Sequence, residues 1–180
     1  LVQRGTIYGD RGEHAQALAL YDRAEEAFAA AGDRAGAAHS MAMKGYALRF
    51  QGMYAEAIAQ SQQALARVEG NTSLERFTMA LAHKNIGLCQ FRLGQLSEGQ
   101  NELQEALRIY QASGDLYDVA SVQHDLGLRS ELTGDLQAAA GHYQAALQSW
   151  QQLGNPAPWA NTLNGLGVVY HLQGRYEEAL

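Results

Sequence analysis

Glycine recurs along this chain in pairs seven residues apart: Gly5 and Gly12, Gly45 and Gly52, Gly87 and Gly94, Gly127 and Gly134, Gly167 and Gly174. The second member of the pair returns after 40, 42, 40 and 40 residues. A fixed period of this length is the mark of stacked supersecondary units. Each unit is too small to bury its own apolar face and relies on its neighbours. The period therefore points to a repeat scaffold, and more to a surface that binds than to a pocket that catalyses.

The residues between the glycines say what each repeat is made of. Small residues hold equivalent places: Ala38, Ala80, Ala120 and Ala160 before the first glycine, Ala17, Ala57, Gly99, Ala139 and Ala179 after the second, then Ala24, Ala64, Ala106 and Ala146. Small side chains at such places let two helix backbones approach closely. Large apolar residues interleave with them: Tyr54, Leu96, Leu136 and Tyr176, then Tyr21, Leu103 and Tyr143, and finally Phe28, Val68, Tyr110 and Trp150. The run Leu96, Gly99, Leu103, Ala106, Leu107, Tyr110 steps by three and four, the period of a helix and not of a strand.

The breaks are equally legible. The second glycine separates two helices, and a further glycine closes most repeats before an Asp or Asn: Gly32-Asp33, Gly70-Asn71, Gly114-Asp115 and Gly154-Asn155. Glycine suits the left-handed position after a helix, and Asp or Asn can accept from the free N–H groups of the next one. Pro156 fits the first helical position, where its missing N–H costs nothing. These signals predict helices over 35–50, 53–69, 73–92, 95–112, 116–132, 135–152 and 156–172, with partial elements at both ends. The repeats run 34–71, 72–114 and 115–154, with partial ones over 1–33 and 155–180 in a single array. The start at Leu1 and the stop at Leu180, both inside a repeat, predict a longer parent chain. Cut repeat ends would expose apolar surface and favour self-association. One repeat is irregular: Gly70 to Gly87 is four residues longer than Gly32 to Gly45, about one helical turn. Thr72-Ser73-Leu74-Glu75 there reads as a capping box. A longer helix or loop explains the insertion; a local change of superhelix that shapes a ligand site around Asn71–His83 is the alternative.

Composition excludes several classes of function. Of 180 residues, 13 are Lys or Arg and 19 Asp or Glu, and no basic cluster stands out, against a duplex-binding surface. No apolar run of about 18 residues marks a membrane span. The one cysteine, Cys89, can form no internal disulfide and reads as a packing thiol; a cytoplasmic setting fits. The histidines, at 14, 39, 83, 124, 142 and 171, make no His pair four apart and no His-Glu-x-x-His run, so no metal site is expected. No nucleophile elbow or phosphate loop is present, and no cofactor or enzymatic activity is expected. Trp150 and Trp159 flank a loop between repeats and read as core, with an aromatic contact site as the other reading.

The runs Leu166-Gly167-x-x-Tyr170-x-x-x-Gly174-x-Tyr176-x-x-Ala179, Gly52-x-Tyr54-x-x-Ala57 and Leu126-Gly127…Gly134-x-Leu136-x-x-Ala139…Tyr143…Ala146-Leu147 resemble the tetratricopeptide repeat in its longer bacterial form. The resemblance covers essentially the whole chain. It implies an all-α, right-handed superhelical solenoid of stacked antiparallel helix pairs. Lys44 and Arg4 stand where Leu usually precedes the first glycine, Ser61 where a large residue is usual, and Gln90 and Ser130 where an aromatic is. Long arrays of this kind are similar to the sensor arms of bacterial signal-transduction NTPases and transcriptional regulators of the maltose-activator type. They are also similar to kinesin light-chain repeats, which hold peptides through an asparagine ladder.

In the resembled fold the first helix of each repeat lines a concave face. Carried onto this chain, that face comprises His39, Met43, Tyr46, Arg49 and Phe50, then Lys84, Asn85, Leu88 and Phe91. The next repeats add His124, Asp125, Leu128 and Glu131, and finally Asn161, Asn164, Val168 and His171. Asn85 and Asp125 fall at the ladder position; Met43 and Gly165 do not, though Asn164 is adjacent. The leading expectation is a protein- or peptide-binding arm of a larger bacterial regulator. A small-molecule inducer receptor on the same groove and a purely structural spacer are the alternatives.

Overall fold

Helix breaks fall where the glycines stand. In this computed structural model, which describes residues 1–179, the helices are α1 (Val2–Asp10), α2 (His14–Ala30), α3 (Arg34–Phe50), α4 (Tyr54–Leu65), α5 (Ser73–Arg92), α6 (Leu96–Ser113), α7 (Leu116–Thr133), α8 (Leu136–Leu153) and α9 (Pro156–Leu172). No strand occurs among the described residues. The periodicity placed most helix ends to within a residue. The exception is α4, expected to reach 69 and ending at Leu65.

The second glycines act as terminators. Gly134 follows α7 at φ 83°, a left-handed backbone that its N–H uses to reach back to the Glu131 carbonyl. The first glycines do different work. At Gly87 a Cβ would sit 2.8 Å from the Gly99 carbonyl oxygen and 3.1 Å from Leu103, so α5 and α6 touch through bare backbone.

The caps mostly follow the sequence, with two corrections. Asp33, Asp115 and Asp135 each accept from the N–H three residues on. At α5 the cap is Thr72, in the capping box that the sequence shows, and not Asn71. Thr72 Oγ1 accepts from Glu75 N at 3.1 Å, and Glu75 Oε2 accepts from Thr72 N at 3.1 Å. Arg76 closes the same connection by donating to the Gly70 carbonyl at 3.0 Å. Three of the four extra residues of the irregular repeat are taken up by α5, at 20 residues against 17 for α3, and the fourth by the connection between Gly70 and Thr72. At α9, Asn155 makes no side-chain cap bond. Its natural donor, three residues on, is Pro158, which has no N–H.

The chain divides within α6 into two compact units, residues 1–109 and 110–180. In the first, α2 packs on α3, α3 on α4, and α5 on both α3 and α4. Its core gathers Ala17, Tyr21, Met41, Ala42, Met43, Ala47, Ala64, Leu81 and Ala82. In the second, α8 lies between α7 and α9, around Ala139, Ala140, Tyr143, Leu166, Val169 and Tyr170. The small positions read from the sequence are buried throughout, apart from Ala160, exposed on α9, and Ala179, which is half-buried. Among the large positions Leu96 and Tyr176 are instead exposed, at 48% and 62%.

Candidate functional site

The face expected to bind is carried by α3 and α5 in the first unit and by α7 and α9 in the second. Each unit presents part of the expected set and hides the rest.

On α3, His39 is half-buried, with Nδ1 3.2 Å from Thr78 Oγ1 of α5 and its ring 5.8 Å from Phe77. Burial lowers its pKa, because the charged imidazolium loses hydration there. Further along, Phe50 is exposed and stacks on His14 of α2 at 5.1 Å. The Arg49 guanidinium lies 4.4 Å from the Phe50 ring and 5.4 Å from the half-buried Tyr46, a cation held by two aromatic faces. Lys84 of α5 is half-buried.

Four expected residues of this unit are not presented. Met43 and Leu88 are buried, at 9% and 6% exposed. Asn85, at the ladder position, is 1% exposed, and its Nδ2 donates to the Ala42 carbonyl at 2.9 Å. Phe91 turns toward Gly99 of α6, within its own helix pair. The burial of Asn85 has a cause in the sequence. Ser61 stands where the other repeats carry a large residue, and Asn85 Nδ2 comes within 3.6 Å of where a Gly45 Cβ would lie, beside the Ser61 hydroxyl. The amide fills the volume that the small residue leaves.

In the second unit the same exchange runs the other way. Tyr143 stands at the Ser61 position, and Gly165 at the Asn85 position. A Cβ on Gly165 would sit 2.8 Å from Tyr143 Cζ, so the ring occupies that volume. The Tyr143 hydroxyl donates to Glu131 Oε2 at 2.8 Å, which ties Glu131 into the structure. Burial, and then the Glu131 carboxylate, raise the Tyr143 pKa. Leu128 packs against the core. Asp125 is half-buried. His124 is half-buried, its Nδ1 3.0 Å from Thr162 Oγ1. On α9, Asn161, Asn164, Val168 and His171 are all exposed. Asn164, Val168 and His171 line a cleft of about 670 Å³ with Trp159 and Leu163.

Several polar contacts escape the sequence reading. Lys44 stands in place of Leu because it reaches Asp22 Oδ1 at 2.7 Å and Glu25 Oε2 at 3.1 Å. His83 meets Glu102 at 2.6 Å, and forty residues on Gln123 meets His142 at 2.7 Å. The signal for these was available, since both pairs are nineteen residues apart and stand at equivalent places in successive repeats. They join the two helices of one pair and are structural. Among the described residues no group of three or more His, Cys, Asp or Glu could hold a metal, and no helix is long and apolar enough to cross a membrane.

Stacked antiparallel helix pairs with this glycine and alanine spacing match the family described as tetratricopeptide repeat over residues 1–69, 78–152 and 130–180. The chain belongs to the tetratricopeptide repeat family. Solved structures with the same fold include BtubC of P. vanneervenii, with 21% identity and a TM-score of 0.79 over 97% of this chain and 72% of that one. The apo form of RapI gives 16% and 0.78 over 98% of this chain, which spans about half of RapI (48%). YrrB, described as a TPR protein with an unusual peptide-binding site, gives 22% and 0.58 over 99% and 79%. A search of the curated proteins finds no match. At these identities the likeness establishes the fold, an all-helical tetratricopeptide-repeat array.

Proposed function

We propose that this tetratricopeptide-repeat array is a non-enzymatic scaffold that binds a protein or peptide segment on the first helices of its repeats. The observation that carries the reading is the exposed face of α9. There Asn161 and Asn164 present side-chain amides beside Val168 and His171. Amides that can pair with a peptide backbone, set among apolar contacts, are what an extended segment requires. In the other unit His39, Arg49, Phe50 and Lys84 offer a second, more basic surface. YrrB, which shares the fold, is described as having a peptide-binding site. The acidic balance of the chain and the absence of a basic cluster argue against nucleic acid as the partner. We further propose that the array serves as the sensing arm of a larger bacterial regulator in the cytoplasm. Occupation of the face would shift that arm between two states of the parent.

The test is a thermal-shift screen of the chain against a peptide library and a metabolite library, repeated with Arg49→Glu, Lys84→Glu and Asn164→Ala. Peptide hits weakened by at least one of these variants are expected. Hits confined to metabolites would replace the reading by an inducer receptor. No hits in either library would leave a spacer as the better account.

A further inference from the structure

We propose that a second cleft, between the N-terminal ends of α7 and α9, is an anchor pocket for one aliphatic side chain of an uncharged peptide. The proposal rests on the peptide-binding reading above and names the ligand chemistry for one subsite. The cleft holds about 250 Å³, below the range of typical small-molecule sites and suited to a single side chain with its amide.

Its walls are apolar. Trp150, at the end of α8, is 3% exposed, and Tyr117 packs edge-on against it at 5.2 Å while remaining 52% exposed itself. Pro158 contributes a further apolar wall. The rest of its lining is polar but uncharged, with Ser121, His124, Asn161 and Thr162. The Trp150 indole N–H is buried without an acceptor, on a residue that lines the cleft. His124 supplies the complement. Thr162 Oγ1 lies 2.8 Å from the Pro158 carbonyl, which can only accept, so the hydroxyl proton is spent there. The contact of 3.0 Å between Thr162 Oγ1 and His124 Nδ1 then requires Nδ1 to carry the hydrogen. Nε2 of the neutral ring is left as an acceptor on a residue that lines the cleft. Asn161, exposed at the rim, adds a side-chain amide.

Charge decides the class of occupant. No Asp, Glu, Lys or Arg lines the cleft among the described residues, so nothing there would repay the desolvation of a carboxylate, ammonium or phosphate. A peptide unit offers one carbonyl acceptor and one N–H donor, the complement of an indole donor and an imidazole acceptor. An aliphatic side chain would lie in the cleft against the exposed Tyr117 ring and Pro158.

The experiment is a titration of the isotopically labelled chain, followed by the Trp150 indole signal, which Trp159→Phe assigns. The probes are short capped alanine peptides with one central Leu, Asp or Lys. The Leu peptide is expected to move the Trp150 indole and His124 ring signals while the Asp and Lys peptides do not. Tyr117→Ala, an exposed position whose loss leaves the core intact, and His124→Phe should each weaken the Leu peptide about tenfold. Equal response to the charged peptides overturns the proposal. Shifts at Asn164 or Lys84 with Trp150 and His124 unmoved overturn the cleft and leave the broader peptide reading standing. No shift anywhere at millimolar peptide overturns both.

Discussion

The two units solve one packing problem with opposite residues. Where the second helix of a pair meets the first helix of the next, the N-terminal unit sets a small residue, Ser61, against a larger one, Asn85. The C-terminal unit sets a large residue, Tyr143, against none at all, Gly165. In the first case an amide is drawn inside and bonds to the Ala42 carbonyl. In the second a phenol ring takes the space and its hydroxyl reaches Glu131. The lesson is that close packing conserves volume across the contact and not residue type at each position.

The strongest way to break the comparison is to overfill one side of it. Ser61→Tyr places a ring where Asn85 already lies, and Gly165→Asn places a side chain where Tyr143 lies; each should cost about 1–3 kcal/mol in urea denaturation. If volume is the cause, Ser61→Tyr combined with Asn85→Gly should be less destabilised than the sum of the single changes, by about 1 kcal/mol or more in a double-mutant cycle. Strict additivity would refute the exchange.

A smaller effect separates the two asparagines. Asn85→Ala removes a buried hydrogen bond and should lower stability by about 1–2 kcal/mol. Asn164→Ala, on an exposed position, should stay within about 0.5 kcal/mol by the same measurement while weakening peptide binding. Equal stability losses would contradict the burial difference between α5 and α9.

The smallest effect is one of pH, and it has the same sign in both units. Burial lowers the pKa of His39 and of His142 from the ordinary 6.5. For His142 the nearby Asp135 partly offsets this. The folded chain thus resists protons that the unfolded chain accepts. The stability each neutral ring contributes is complete above pH 6.5 and is lost progressively as the pH falls toward the lowered folded values. His39→Gln and His142→Gln should each flatten the fall in urea midpoint across this mildly acidic range. A midpoint that rises on acidification in the parent chain would refute the sign.

Much of the site was hidden from the sequence for a definite reason. Lys84, His124 and Asn164 were read correctly as lying on first helices, and all three are at least partly accessible. Asn85 was read by the same rule and is interior. The rule uses position within one repeat, whereas the outcome turned on Ser61, twenty-four residues upstream and on another helix. Likewise Trp150 and Tyr117, thirty-three residues apart, form a wall only because α8 returns beside α7.

The sequence by itself determined the helices, their glycine stops and the small residues through which they touch. These depend on periodicity and on backbone conformations that only local residues control. Tertiary structure decided which side chains of the first helices face outward, which polar groups pair, and where a cleft remains. Burial is a property of two surfaces meeting, and the second surface in each case comes from a distant part of the chain.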